Sequence, residues 1–283
     1  MRLCTYRTGG AGLSLGKVVG DEVVPLDGDM ATLLAGGAAA MAAADQADGP
    51  RLPLAQVQLG PPVPKPPKFL AIAINYASHI KETGSNTPDF PVFFNKQTTC
   101  VIGHGEAIHR PLVSTMVDYE GELGMVIGRR CRHVPVERAH EVVAGYVAVN
   151  DVTVRDWQRK AFTFTIGKSF DTHGPIGPYL VTADEVPDPH GLGLRTFVNG
   201  EKLQDGNTAD MVFDCWAQIA TLSTAFTLEP GDIIATGTPG GVGVVREPPI
   251  FLKHGDTVRV EIDGIGNLEN PVIDEPSDAP VID

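Results

Sequence analysis

The stretch GPPVPKPPK, residues 60–68, constrains the fold most, because five of its nine residues are proline. Each proline fixes φ and removes a backbone donor, so the segment can be neither helix nor central strand. It divides the chain into a small N-terminal domain, 1–64, and a larger domain, 65–283. With 283 residues in all, the chain is long enough to bury roughly 75% of its unfolded surface.

Before the break, KVVGDEVVPL is two apolar runs about a Gly20-Asp21 turn, the sequence form of a hairpin. DMATLLAGG follows with Asp29 placed to cap a helix, and the alanine-rich piece to Gln46 has high helix propensity with little amphipathic character. After the break, strands are expected at Phe69 to Ile74, Val92 to Asn95, Glu122 to Ile127, Tyr146 to Asn150 and Ile233 to Thr236. Asn199-Gly200 and Asp263-Gly264 signal two further hairpins. One substantial helix is expected after Asp210, with Phe213, Trp216, Ile219, Ala220 and Phe226 at helical spacing, ending before EPGD. Many strands, few helices and no βαβ alternation predict a β-rich α+β fold.

A net charge of −13 argues against nucleic acid or an anionic membrane as partner, since both select basic surfaces. The four cysteines fall in no C-x-x-C pair, which removes the usual zinc and disulfide frameworks. With no signal-like apolar run at the N-terminus and no stretch able to span a bilayer, the expectation is a cytoplasmic protein with reduced thiols.

In DYEGELGMVIG, Glu120 and Glu122 stand two apart, so a strand would turn both to one face, with Cα atoms about 6.5–7 Å apart. Asp151, at the end of GYVAVND, supplies a third carboxylate. Three carboxylates without His or Cys make a hard oxygen site suited to Mg²⁺ or Mn²⁺, whereas an exposed acidic strand face is the plainer alternative. Arg155, Gln158 and Lys168 follow closely. In a helix, Asp151, Arg155 and Gln158 would share a face, as cations beside a metal or as a solvated ion-pair surface. His79 and Glu82 in NYASHIKE would sit side by side on a helix, either a water-activating pair or a surface contact. The adjoining GSNTPDFP could let that segment move as a lid. The turn ATGTPGGVG offers hydroxyls and open N–H groups to a carboxylate, or is simply a tight turn.

Taken in order, AINYASHIKE, PVFFNK, DYEGELGMVIG, VNDVTVRDWQ, GKSFDTHGPIGP, VNGEKLQDGNT and LEPGDIIATGTPGGVG resemble the fumarylacetoacetate hydrolase family from about Lys68 to Val272. The resemblance implies a mixed β-sandwich-like roll, assembled as a homodimer, acting on a small anionic keto acid. It implies Glu120, Glu122 and Asp151 as ligands of Mg²⁺ or Mn²⁺, and His79 with Glu82 as the water-activating pair. Arg155, Gln158 and Lys168 match positions that steady the leaving carbanion or substrate oxygens, and Thr238 a carboxylate-binding threonine. Lys96, with Tyr76 and Gly237, falls in motifs expected to lie on the substrate side. The implied reaction is hydrolysis of a C–C bond in an acylpyruvate or other 1,3-dicarbonyl acid. Oxaloacetate decarboxylation, isomerisation of 2-hydroxyhepta-2,4-diene-1,7-dioate and pure ligand binding are the alternatives.

Overall fold

A computed structural model describes residues 1–10 and 12–277. Its centre is a twelve-stranded mixed sheet. Three antiparallel neighbours form the middle: Gly174–Thr182, Val143–Asn150 and Gly121–Ile127. Ile233–Ala235 adds beside Gly121–Ile127, then Phe69–Ala73 parallel to it, and Val92–Lys96 closes that edge. A five-stranded sheet, running Glu201–Asn207, Gly193–Val198, Thr257–Ile262, Gly266–Asp274 and Ile108–Arg110, packs on one face.

The strand Gly121–Ile127 is buried along its whole length. Leu123, Met125 and Ile127 face the layer shared with Leu194, Val260 and Leu268 of the second sheet and Ile219 and Leu222 of a helix. Val126 faces the opposite core with Phe69, Val147, Ile233 and Leu34. A strand covered on both faces reads as a continuous apolar run rather than an alternating one, which is the pattern GMVIG shows.

The N-terminal sixty residues do not build a sheet of their own. Arg2–Arg7 pairs antiparallel with Gly174–Thr182, with Leu3 opposite Leu180, and the hairpin strands Ser14–Val19 and Glu22–Leu26 extend the large sheet outward. The large sheet therefore takes strands from both sides of the proline segment. The Gly20-Asp21 turn and the two helices, Met30–Ala35 and Gly37–Gln46, form as expected, and Asp29 caps the first through Thr32 N–H at 2.7 Å.

Two local expectations shift. Asp263-Gly264 is not a two-residue turn, because Ile262 pairs with Gly266 and Ile265 joins the loop. The main helix is Cys215–Ala225, capped by Asp214 accepting from Ala217 N–H at 2.8 Å, so Phe213 lies outside it. Its buried face is Cys215, Gln218, Ile219, Leu222 and Ser223, which leaves only Ile219 from the apolar series fully buried. The cap outweighs the phenylalanine in setting where the helix starts.

Candidate metal centre and active site

The three carboxylates converge. Oxygens of Glu120, Glu122 and Asp151 lie within 4.8 Å of one another, and all three residues are buried. Strand pairing sets Gly121 opposite Asn150. One residue beyond that pair, Asp151 N–H donates to the Glu120 carbonyl at 2.8 Å, and the Asn150 amide oxygen accepts from Glu120 N–H at 3.0 Å. Two strand ends are thereby locked so that their acids meet.

Three buried cations balance them. Lys168 Nζ bridges Glu120 Oε2 at 2.6 Å and Asp151 Oδ2 at 2.7 Å. Lys96 Nζ donates to Asp151 Oδ1 at 2.6 Å and to the Lys168 carbonyl. Arg155 reaches Glu120 Oε1 at 2.6 Å and, through Nε, Asp118 Oδ2 at 2.8 Å. Burial alone would raise the Glu120 carboxyl, but the Lys168 ammonium and Arg155 guanidinium outweigh it and hold the group well below the usual carboxylate range. Burial would likewise lower Lys168 and Arg155, and the surrounding carboxylates push both upward instead.

Glu122 is the exception. One oxygen accepts the Gly237 N–H at 2.9 Å, and among the described residues no cation lies within ion-pair distance. Burial, with the Asp151 and Glu120 charges beside it, pushes this carboxyl well up. The cluster thus holds four acids, counting Asp118, against three bases. An all-oxygen donor set with one uncompensated carboxylate suits a hard divalent cation, which would supply the missing charge.

The asp-to-gln spacing does not arise as expected. Asp151 lies outside the local helix; of the three only Arg155 and Gln158 fall in it, Arg155–Gln158, which is followed by the separate turn Thr165–Lys168. Gly167 lets these two approach, since a Cβ there would lie 2.2 Å from the Gln158 nitrogen.

His79 and Glu82 lie on the helix Ala77–Thr83, which ends on Gly84 at φ 65°. His79 Nδ1 and Glu82 Oε1 are 2.6 Å apart, and Glu82 Oε2 accepts the Gly241 N–H at 2.6 Å. The pair is tied to the GTPGG turn. That turn is itself held by Gln204, whose amide donates to Thr238 Oγ1 at 2.8 Å and to the Pro239 carbonyl, and accepts from Gly121 N–H. Thr238 Oγ1 donates to the Gly121 carbonyl at 2.9 Å.

A cavity of about 110 Å³ joins these parts, with His79, Glu120, Glu122, Arg155, Gln158, Lys168 and Thr238 on its polar side. Lys96 and Tyr76 do not line it. Lys96 is spent inside the charge cluster, and Tyr76 is fully buried with no hydrogen-bond partner on its hydroxyl. Both stand behind the wall rather than facing a substrate, because the strand end and helix start that carry them are packed into the core. Gly237 likewise acts through its N–H on Glu122.

Three residues escaped the sequence reading. Asp118 accepts from Arg155, Tyr119 N–H, Gly243 N–H and Val244 N–H, pinning Arg155 to the loop after the GTPGG turn. Asn75 donates to the Thr236 and Phe213 carbonyls, and Gln204 acts as described. Asp118 and Gln204 lie within quoted motifs, but their partners are too distant in sequence to be paired by spacing.

A family model described as fumarylacetoacetate hydrolase C-terminal matches residues 68–273, and one described as Rv2993c-like, N-terminal, matches 1–62. The mitochondrial oxaloacetate tautomerase fahd2 of Xenopus laevis is 45% identical over 219 residues, 77% of this chain and 69% of that protein. Among solved structures, maleylpyruvate hydrolase from Sphingobium sp. SYK-6, in complex with manganese(II) and pyruvate, shares 36% identity at a TM-score of 0.80, covering 97% of this chain and 99% of that one. The 2-hydroxyhepta-2,4-diene-1,7-dioate isomerase of Mycobacterium marinum gives 34% and 0.81, covering 98% and 100%. With the seven motifs, the β-rich architecture and the carboxylate cluster all in agreement with that match, the chain belongs to the fumarylacetoacetate hydrolase family.

Proposed function

We propose that the protein hydrolyses the C–C bond of an acylpyruvate or related 1,3-dicarbonyl acid, using Mg²⁺ or Mn²⁺ held by Glu120, Glu122 and Asp151. The observation that carries this reading is that His79, held by Glu82, lines the same small cavity as Glu120 and Glu122 of the carboxylate cluster. A divalent ion there supplies Lewis acidity, polarising adjacent substrate oxygens.

The protein's own groups do the rest. Glu82 holds the Nδ1–H of His79, leaving Nε2 to accept a proton from water. The water oxygen bonds to the distal acyl carbon, the bond from that carbon to the pyruvate methylene breaks, and its electron pair leaves as pyruvate enolate. Lys168 and Gln158 steady the enolate oxygen, and the imidazolium returns its proton to the methylene carbon. The products are a carboxylic acid and pyruvate. Thr238, the residue of the turn that lines the cavity, is the proposed seat of the substrate carboxylate, which its hydroxyl would meet by giving up the Gly121 carbonyl. Nucleic acid and membrane are not proposed partners; a homodimer in the cytoplasm is the proposed working form.

A second reading, tautomerisation of oxaloacetate, is favoured by the 45% identity to a tautomerase, since the same imidazole could move a proton at carbon without attacking water. Metal-loaded protein incubated with acetylpyruvate and with oxaloacetate separates them. Metal-dependent pyruvate and acetate support hydrolysis; keto–enol exchange of oxaloacetate without pyruvate transfers the assignment to tautomerase, and CO₂ release to decarboxylase. His79→Ala should lower turnover by roughly 10²–10⁴ while metal binding persists; full turnover would remove the base from the mechanism.

A further inference from the structure

We propose that the site selects keto acids whose far end is a short, uncharged hydrocarbon and rejects those ending in a second carboxylate. This rests on the reading of the cavity as a keto-acid site. At about 110 Å³ the cavity is well below the ~300–1,000 Å³ usual for ligand sites, so beyond the keto-acid head it admits only a small group.

The cavity has two chemical halves. In the polar half, both cations are held by acids at the end of the cavity where the keto-acid head is placed: Lys168 by Glu120 and Asp151, Arg155 by Glu120 and Asp118. The remainder of the wall is Ile72, Ala73, Ile74, Phe94 and Phe164, whose side chains carry no hydrogen-bond donor. A tail carboxylate meeting that wall would lose water and gain nothing in return, whereas an alkyl tail gains contact.

The wall is also held in place. Ile74 sits at φ 55° and Phe164 at φ 61°, left-handed conformations that a β-branched or bulky side chain rarely adopts. Such positions persist where the surroundings over-determine them, and they gather at ligand clamps. The surroundings are visible here. Asn75, next to Ile74, is bonded through its side chain to Phe213 N–H and to the Phe213 and Thr236 carbonyls. Phe164 packs edge-on against Phe94, ring centres 6.0 Å apart and planes at 88°. Two strained residues braced from behind form a fixed apolar face rather than one able to swing a polar group inward.

The test is calorimetric binding of pyruvate, 2-oxopentanoate and 2-oxoglutarate to the Mn²⁺-loaded protein, the last two differing only in a terminal methyl against a carboxylate. The expected result is 2-oxopentanoate binding on the order of tenfold to hundredfold tighter than 2-oxoglutarate. Equal or tighter binding of 2-oxoglutarate would overturn the proposal. In Phe164→Ala the ratio should shrink severalfold with pyruvate affinity retained; an unchanged ratio would overturn the assignment of the wall. Acetylpyruvate hydrolysis followed alongside keeps the two readings apart. The binding preference without pyruvate release refutes hydrolysis alone, and hydrolysis with the reverse preference refutes the tail selectivity alone.

Discussion

Replacing Glu122 by Gln should uncouple stability from metal. In the metal-free protein Glu122 is the one acid of the cluster without a cation, and burial with two neighbouring carboxylates opposes its charge. Gln keeps the shape and can still accept the Gly237 N–H, so metal-free E122Q should melt no lower than the wild type, and higher at neutral pH. A ligand at a hundred times its Kd stabilises by about 2.7 kcal/mol. Unfolding entropy near 2.1 cal/mol/K per residue, over 283 residues, is about 0.6 kcal/mol per degree. The wild type should therefore gain about 4–5 °C in Tm at that Mn²⁺ concentration. E122Q should gain less than about 1 °C, since the Glu120 and Asp151 oxygens that remain already serve Lys168, Lys96 and Arg155. Differential scanning fluorimetry on chelator-treated protein reads both quantities. A metal-free E122Q that melts several degrees lower, or one that keeps the full Mn²⁺ shift, would refute the charge argument.

Three other outcomes follow from particular contacts. In Gly167→Ala the new Cβ falls 2.2 Å from the Gln158 nitrogen and must push apart the turns bearing Gln158 and Lys168; stability should drop by about 1–3 kcal/mol in a urea titration, with turnover falling alongside. Gln204→Leu removes the donor to Thr238 and Pro239 and the acceptor of Gly121 N–H, and steady-state kinetics should show KM rising more than kcat falls. His173 is fully buried with Nε2 on the His109 carbonyl, and burial pushes its pKa down to about 3 from 6.5. Because the unfolded chain takes up this proton first, the stability it contributes is whole above about pH 6.5 and is lost as pH falls from there toward 3. Between pH 7 and 5 the loss from this residue should be about 2 kcal/mol in guanidinium titrations and absent in His173→Gln; an unchanged slope in that variant would assign it elsewhere.

Much of the site was readable because its main acids and bases sit in short segments where strand or helix spacing states which side chains are neighbours. His79 and Glu82, three apart on one helix, are set together by local geometry alone; Glu120 and Glu122 are two apart, but Glu120 falls one residue before the strand and its bonds to Asn150 and Asp151 complete the placement. Asp118 was not assigned a role although it stands two residues before Glu120, since its work is done on Gly243 and Val244, on a loop reached only after the sheet has formed. Gln204 is hidden for the same reason. Tyr76 and Lys96 differ from these, since neither lines the cavity. Polar residues within a site motif look outward-facing in sequence, yet packing turns Tyr76 into the core and the charge ledger claims Lys96. The sheet strands were legible from apolar runs, whereas the joining of the N-terminal strands to the large sheet depends on Arg2–Arg7 meeting Gly174–Thr182, a pairing across nearly the whole chain.

The bond from Gly241 N–H to Glu82 spans 159 residues and acts as an interlock. Glu82 orients His79 with one oxygen and holds the turn with the other, so any displacement of Ala77–Thr83 from the turn releases the acid that aligns the imidazole. Under the proposed hydrolysis, a base mounted in this way would be armed only when its helix is seated. With the helix away, the imidazole would lose its fixed tautomer, and the proposed keto acid would enter or leave without meeting an aligned water.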